Sequence, residues 1–304
     1  MKKKLFWQIL LLFIISSNFL NAFSETPQKN GVLIISAPRT TSTLLMRVLA
    51  KNASKVLLEP YTQVFYLSNN LSGAGFNYQK EWPSTSDKAW EMITQSFTLD
   101  SFVIKDLAYQ MLSYITNEQL KELAKHAHIL FLLRSPKATI ASGLSAYVKT
   151  GYPQDYLSEE VGFVQMKMLF DRFENLGVTP WIIEAENYLK DPAVVLEKYF
   201  LAFNKVFNKE ILKIGRLSMH ERALNPGYRV WGELWFKTAF DTDIVKPRNL
   251  THAANPDYDL YLAPYQNIIN TFLPKHYEAY KYMLEQGLFP MGVTKTLFNA
   301  HQQE

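Results

Sequence analysis

The chain has 304 residues, of which 48% are hydrophobic and 20% are charged, and its formal net charge at pH 7 is +4. This composition excludes a disordered chain, and the length is sufficient for one large globular domain with a substantial core. The small positive charge suits an anionic small ligand and is too diffuse to favour nucleic acid. Because the chain has no cysteine, disulfides, thiolate chemistry and zinc–thiolate sites are excluded.

The N-terminal segment has the features of a secretory signal peptide. Three lysines follow Met1, an apolar run covers residues 5–15, and residues 22–24 resemble a small-x-small cleavage site. The apolar run is shorter than the ~20 residues that span a bilayer, so a cleaved signal is favoured over an uncleaved membrane anchor. We therefore expect an exported protein, secreted or periplasmic, or in the Golgi lumen of a eukaryote, with membrane contact only through the signal.

The remainder of the chain is predicted to be one domain, without internal repeats. The predicted boundaries are 1–24 for the signal peptide, 25–30 for a polar linker, 31–290 for the domain and 291–304 for a C-terminal tail.

The domain begins with a strand, a polar turn and a helix. Residues 31–35 form a continuous apolar run that is typical of an inner parallel strand. The turn supplies Arg39 and four hydroxyl residues at 40–43, and apolar residues at helical spacing predict a helix over 42–52. A helix N-terminus presents unpaired N–H groups and favours negative charge. The turn therefore predicts a phosphate or sulfate site, although Ser and Thr are also ordinary helix N-caps.

Strands and helices alternate along the rest of the chain, and residues 68–84 are predicted to be a loop or lid. Further strands are predicted over 55–58, 101–104, 129–133 and 180–184, and further helices over 85–98, 117–126, 158–176, 191–206 and 264–286. This alternation predicts an α/β fold with three layers, in which helices flank a central parallel sheet. The carboxyl ends of the strands should then converge on one crevice.

A second strand-to-helix junction carries an arginine and a serine. Arg134 directly follows the strand over 129–133, and Pro136 suits the first turn of the next helix. Ser142 lies two turns into that helix, on the face toward the sheet edge. The pair could bind a second phosphate. The alternatives are that Arg134 is an ordinary ion-pair partner at a strand end and that Ser142 is a small packing residue.

The two junctions together resemble those of the sulfotransferases that use 3'-phosphoadenosine 5'-phosphosulfate, most closely the Golgi-type and bacterial branches. Residues 38–45 are similar to the loop of that family, which has a proline, a basic residue, a hydroxyl residue, a glycine and two further hydroxyl residues. Arg134 and Ser142 have the family's spacing, and residues 186–192 resemble its strand-to-helix junction ending in Asp-Pro. The resemblance covers about residues 31–215.

This resemblance implies a P-loop nucleotide-binding fold, 3'-phosphoadenosine 5'-phosphosulfate as co-substrate and no metal. It implies that Arg39 stabilises the sulfuryl group and that Arg134 and Ser142 hold the 3'-phosphate. The residues that it implies around the 5'-phosphosulfate are Arg39, Thr40, Thr41, Ser42, Thr43 and Leu44. The acceptor would be a hydroxyl of a small molecule, a peptide or a sugar, and its identity is not readable from the sequence.

Two further residues have predicted catalytic roles. Glu59 follows the second strand where the protein-tyrosine sulfotransferases have a catalytic glutamate, so the resemblance implies that it is the base for the acceptor hydroxyl. This role requires a partly desolvated carboxylate, and the alternative is a surface acid at a strand end. Lys105 is expected to contact a sulfuryl oxygen or the leaving group, or else to pair with Asp106.

Other functions stay open. Thr41 stands where the family has glycine and Ala185 where its junction has tyrosine, which favours, as the alternative, a catalytically degenerate module that binds a nucleotide or sulfated ligand without turnover. A kinase is disfavoured because the loop lacks the lysine of nucleoside-triphosphate-binding loops. Lys246 and Arg248 are either a basic segment that closes over the nucleotide or an exposed charge pair.

Overall fold

The computed structural model describes residues 29–71, 76–151, 153, 156–218, 233–247, 263–291 and 293. The predicted signal peptide, most of the predicted linker and tail, and Arg248 lie outside the described residues. Among the described residues, no helix is both long and apolar enough to cross a membrane.

The centre of the protein is a parallel sheet of five strands in the order β2-β3-β1-β4-β5. The strands are β1 (Gly31–Ser36), β2 (Lys55–Leu58), β3 (Phe102–Leu107), β4 (Ala127–Leu133) and β5 (Trp181–Glu184). β1 is the central strand, with Gly31 opposite Phe102 of β3 on one side and Ala127 of β4 on the other. Because all the strands are parallel, the loops that follow β1, β3 and β4 leave the sheet from the same edge.

Helices connect the strands and pack against them, α1 against β3, α5 against β4 and α8 against β1. The helices are α1 (Ser42–Leu49), α2 (Thr62–Ser68), α3 (Ser86–Thr94), α4 (Ala108–Met111), α5 (Asn117–His126), α6 (Pro136–Thr150), α7 (Ser158–Val161), α8 (Phe163–Asn175), α9 (Ala185–Lys190), α10 (Pro192–Ala202), α11 (Glu233–Asp241) and α12 (Gln266–Gln286). Short 3-10 helices cover Ala50–Asn52, Lys209–Leu212 and Ala263–Tyr265.

The sheet is covered on both faces. Every residue of β1 and of β3 is buried, and successive side chains of a strand point to opposite faces. A sheet with this burial pattern needs a helical layer on each side. The predicted three-layer α/β fold with a central parallel sheet is therefore confirmed.

Local sequence signals account for several element boundaries. At the start of α5, Thr116 and Gln119 form a capping box in which each side chain bonds to the backbone of the other residue. At the start of α10, the Asp191 side chain accepts a hydrogen bond from the amide of Val194, and Pro192 occupies the first helical position. The predictions of a helix over 117–126 and a strand over 55–58 are confirmed.

The long helix predicted over 158–176 is wrong, because it is two helices, α7 and α8, separated by Gly162. Gly162 has a φ of 86°, in the left-handed region that interrupts a right-handed helix. Helical periodicity on both sides of the glycine hid the break, since apolar spacing does not report φ.

The strand predicted over 101–104 is longer than expected. β3 continues to Leu107 and includes Lys105 and Asp106, both of them buried. Buried charges are rare unless they are paired, which is why sequence pattern alone placed the end of the strand before them. Their partners, described below, come from other elements.

Four helices were not predicted, namely α2, α4, α9 and α11. Four predicted helices were too long: α1, α3, α10 and α12 cover less than the predicted 42–52, 85–98, 191–206 and 264–286. In the predicted loop 68–84, no helix lies among the described residues after Ser68.

Candidate active site

The loop between β1 and α1 has an unusual backbone. Arg39 and Thr41 have φ values of 63° and 68°, in the left-handed region that L-residues other than Asn and Asp seldom adopt. The buried hydroxyl of Thr40 donates to the carbonyl of Ala37 at 2.8 Å. The amides of Leu44 and Leu45 both donate to the carbonyl of Thr41, at 3.0 and 3.1 Å. These bonds turn the chain sharply from β1 into the first turn of α1.

The turn presents donors that its own residues do not use. Among the described residues, no acceptor takes the amide protons of residues 40–43. The buried hydroxyls of Ser36 and Thr41 also have no hydrogen-bond partner there. Unsatisfied amides at a helix N-terminus together with unpaired hydroxyls fit a phosphate or sulfate oxygen. The predicted loop residues Thr40, Ser42 and Thr43 thus lie on one anion-compatible turn.

The second predicted junction lies against the first. The Arg39 Nε donates to the Ser142 Oγ at 3.3 Å, and the Arg134 Nη1 donates to the carbonyl of Arg39 at 2.7 Å. Arg134 follows β4 and Ser142 belongs to α6, so three elements meet at this edge of the sheet. The structure brings Arg39, Arg134 and Ser142 together, although they are about a hundred residues apart in the chain.

Glu59 and Lys105 form a buried ion pair at the same sheet edge. Glu59 is only 3% exposed and Lys105 only 2%. The Lys105 ammonium contacts the Glu59 Oε1. The other carboxylate oxygen accepts a hydrogen bond from the Thr62 hydroxyl at 2.8 Å. The expected desolvation of Glu59 is therefore present, and the alternatives of a surface acid and of a Lys105–Asp106 pair are wrong.

Hydrogen bonds also hold the backbone of Glu59 in place. Its amide donates to the carbonyl of Lys105 at 2.6 Å, and its carbonyl accepts from the indole N–H of Trp82 at 3.2 Å. Its φ is 55°, so the chain turns away from β2 at this residue. This turn directs the carboxylate to the ammonium on β3, the strand that neighbours β2.

Asp106 is a buried carboxyl that the sequence analysis did not assign a role. Its oxygens accept hydrogen bonds from the amides of Tyr61, at 3.1 Å, and Leu107, at 2.8 Å. Burial, reinforced by the nearby Glu59 carboxylate, raises the pKa of Asp106 to about 8. The feature of the sequence that could have indicated this buried carboxyl is that Lys105 and Asp106 directly follow the apolar run of β3.

A cavity lies between the anion-compatible turn and the buried ion pair. Pro38 and Arg39 line one part of it and Glu59 another, and the remainder is mainly aromatic. The aromatic lining residues are Tyr66, Tyr109, Tyr147, Tyr156 and Phe236. The predicted charge-stabilising arginine and the predicted base therefore face a common space.

Glu160 is a second carboxyl of this cavity and was missed by the sequence analysis. The Tyr147 hydroxyl donates to one of its oxygens at 2.5 Å, and the Tyr66 hydroxyl donates to the other at 3.4 Å. Burial raises the pKa of Glu160. In the sequence, Glu159 and Glu160 look alike, as two acids near a helix start, and the sequence held no signal that only one of them is buried.

A second cavity adjoins α1. Leu44 of the predicted donor loop lines it, together with Arg216 and Lys246 and the acidic Asp241 and Asp243. Arg47 fixes this region, because its guanidinium donates to carbonyls of Ala239, Thr242 and Gly215. Lys246 is exposed, so it is available to an anion in this cavity.

Within the described part of the chain, no group of three or more His, Asp or Glu side chains is arranged to hold a metal ion.

Several solved structures that this chain is similar to are sulfotransferases. A sulfotransferase from Alicyclobacillus acidocaldarius is 16% identical, with a TM-score of 0.44 over 86% of this chain and 97% of that one. The sulfotransferase domain of the curacin biosynthetic pathway is 15% identical, with a TM-score of 0.42 over 78% and 98%. Mouse sulfotransferase SULT7A1, solved with PAP, is 15% identical, with a TM-score of 0.38 over 84% of each chain. No protein-family model and no curated protein matches the chain.

Proposed function

We propose that the protein is a sulfotransferase that moves a sulfuryl group from 3'-phosphoadenosine 5'-phosphosulfate to a hydroxyl acceptor. The observation that carries the proposal is that Arg39, which follows the central strand β1, and Glu59, which follows the edge strand β2, line one cavity beside an anion-compatible turn. A cation for developing negative charge and a base for the acceptor are what this transfer requires.

In this proposal the donor lies across the two junctions. The unpaired amides of residues 40–43 and the hydroxyl of Thr41 hold the 5'-phosphate, and Arg134 and Ser142 hold the 3'-phosphate. Leu44 contacts the nucleotide from the first turns of α1. The 3.3 Å bond from Arg39 to Ser142 links the two halves of this site, so both phosphates are gripped by one connected set of residues.

The donor supplies an activated sulfuryl group, and the chain supplies positioning and charge. Glu59 accepts the proton of the acceptor hydroxyl, while Thr62 and Lys105 fix the direction of its carboxylate. Arg39 stabilises the negative charge that builds up on the transferred group. Lys105 neutralises Glu59 in the absence of an acceptor, and in this proposal its ammonium also contacts a sulfuryl oxygen during transfer.

Donor binding is tested by calorimetry with 3'-phosphoadenosine 5'-phosphate, the stable product. We expect micromolar binding to the unmodified chain and a loss of at least tenfold in Arg39→Ala and Arg134→Ala, since each loses a charge-assisted contact worth about 1.5–3 kcal/mol. Lys121→Ala removes one exposed positive charge from α5 and should change affinity less than threefold. Absence of binding in the unmodified chain would refute the proposal.

Transfer is tested separately with Glu59→Gln, using radiolabelled donor and a panel of hydroxyl acceptors. The variant should keep its affinity for 3'-phosphoadenosine 5'-phosphate and lose about 10²–10⁴-fold in transfer rate, the usual contribution of a general base. Glu91→Gln changes an exposed glutamate of α3 and should retain the full rate. Equal rates in Glu59→Gln and the unmodified chain would exclude Glu59 as the base.

A second candidate is a nucleotide-binding module without turnover. The observation that favours it is the Glu59–Lys105 pair, in which the two predicted catalytic groups satisfy each other. This alternative predicts tight binding of 3'-phosphoadenosine 5'-phosphate and no consumption of the donor with any acceptor of the panel.

A further inference from the structure

The Glu160 carboxyl is buried and has no cationic partner among the residues that the structure describes. Its residue is 7% exposed, and among the described residues no lysine, arginine or histidine forms an ion pair with it. Arg39, the basic residue of the same cavity lining, directs its Nε to Ser142. Buried carboxylates are ordinarily paired with a cation, because desolvating an isolated charge is costly.

Tyrosine rings surround this carboxyl. Tyr66, Tyr109, Tyr147 and Tyr156 line the cavity, and the Tyr147 and Tyr156 ring centroids are 5.2 Å apart. The faces of tyrosine rings attract cations, and cages built of aromatic rings bind alkylammonium groups. Two of these tyrosines, Tyr147 and Tyr66, donate hydroxyl hydrogen bonds to Glu160, so they hold a carboxylate in place whose negative charge attracts an ammonium group.

The cavity is narrow. Its volume is about 60 Å³, well below the roughly 150 Å³ of a cavity that takes up benzene. An alkyl chain is narrower than an aromatic ring, so this space admits the end of an unbranched chain that carries an ammonium head. Glu59 lines the same cavity as Glu160, so both carboxyl groups face the space that a bound molecule enters.

We propose that Glu160 and the surrounding tyrosines form a recognition site for an aliphatic ammonium group, so that the acceptor is an amino alcohol whose ammonium lies at Glu160 and whose hydroxyl faces Glu59. The assignment of this molecule as an acceptor rests on the proposed sulfotransferase function, whereas the ammonium site does not. Glu160 is here a specificity-determining residue and Glu59 remains the base.

The test uses 5-aminopentan-1-ol and hexan-1-ol, which differ only in the replacement of the ammonium by a methyl group. Binding is measured by calorimetry or ligand-observed NMR without any donor. We expect the amino alcohol to bind at least tenfold more tightly, and this preference to fall below threefold in Glu160→Gln. Glu159→Gln, the neighbouring exposed acid, should keep the full preference.

Either of two results would overturn the ammonium site: equal or tighter binding of hexan-1-ol to the unmodified chain, or a preference that survives in Glu160→Gln. The comparison in the unmodified chain does not depend on the folding of any variant. If the amino alcohol is preferred but 3'-phosphoadenosine 5'-phosphate does not bind, the ammonium site stands and the sulfotransferase function fails. If the nucleotide binds and the amino alcohol is not preferred, the ammonium site fails and the sulfotransferase function stands.

Discussion

Glu59 and Lys105 are buried on neighbouring parts of the sheet, and each is the counter-charge of the other. A buried pair contributes little net stability, because desolvation offsets much of the attraction, but removing one partner leaves an uncompensated charge. The contribution of this ion pair to the free energy of unfolding can therefore be measured only when one partner is removed.

We predict that Lys105→Met lowers the free energy of unfolding by about 3–5 kcal/mol, since it removes the ammonium that contacts the buried Glu59 carboxylate. The double variant Glu59→Gln/Lys105→Met should recover most of this loss, and urea denaturation measures both. Lys237→Ala breaks an exposed pair with Asp241 and should cost less than about 0.5 kcal/mol. Equal effects of Lys105→Met and Lys237→Ala would contradict the buried pairing.

Thr41 is a β-branched residue in a backbone conformation that suits glycine. Its φ of 68° costs an L-residue roughly 1–2 kcal/mol, whereas glycine gives up about 0.5–1 kcal/mol in chain entropy. Thr41→Gly should therefore stabilise the fold by about 0.5–1 kcal/mol in urea denaturation.

Thr40→Gly provides the control for this substitution. Thr40 is fully buried and its hydroxyl bonds to Ala37, so its replacement should be destabilising by about 1–2 kcal/mol. If both glycine variants are destabilised alike, the strain assigned to Thr41 is absent.

At the scale of elements, the turn between β1 and α1 is supported by the junction of α7 and α8. Gly162 lies there with a φ of 86°, and a Cβ at this position would approach the Cα and Cβ of Ala37 to 3.3 Å. Such an approach is tighter than ordinary van der Waals contact, so a side chain at this position would require Ala37 to shift by a few tenths of an ångström. The break that separates α7 from α8 thus also positions the loop that carries Arg39.

Gly162→Ala should destabilise the protein by about 1–2 kcal/mol and weaken binding of 3'-phosphoadenosine 5'-phosphate, because the substitution adds backbone strain and displaces the loop. Gly151 has a similar φ of 83° with no atom within 4 Å of its Cβ position, so Gly151→Ala carries the strain alone. Calorimetry should find nucleotide affinity unchanged in Gly151→Ala. Equal affinities in the two variants would argue against the contact between Gly162 and the loop.

At the scale of the whole molecule, buried acids make stability depend on pH. Asp106 has a pKa of about 8 in the folded protein against an ordinary value of 3.8, and burial with the neighbouring Glu186 raises the pKa of Glu184 to about 7. Between the ordinary and the folded values, the folded state binds more protons than the unfolded state. Stability therefore falls as pH rises from about 4 to about 8.

Asp106→Asn should make this pH dependence shallower, because one group that binds a proton on folding is removed. The measurement is the urea midpoint at a series of pH values between 5 and 8, compared with that of Asp100→Asn, which changes an exposed aspartate. The Asp100 variant should keep the slope of the unmodified chain. The pKa assigned to Asp106 would be wrong if the two variants had the same slope.

Local patterns were sufficient for much of the fold. The apolar run before Arg39 predicted β1, the pattern over 117–126 predicted α5, and the alternation of strands and helices predicted a parallel sheet between helical layers. These signals lie within one element, where periodicity and backbone chemistry act directly. Local pattern also singled out Arg39, Arg134 and Ser142 as candidates, whereas their roles toward a nucleotide were implied by the resemblance of the two junctions to the sulfotransferase family.

Only the tertiary structure determines which charged side chains contact each other. Glu59 and Lys105 are 46 residues apart in the chain, and their pairing depends on β2 lying beside β3, which no local pattern specifies. The same holds for Glu160, which only the packing of α7 against the tyrosines distinguishes from Glu159. The sequence by itself determined the five strands, most of the long helices and the polar turns. The order of the strands determined which carboxyl groups are buried and which partners they have, since burial is a property of the assembled layers.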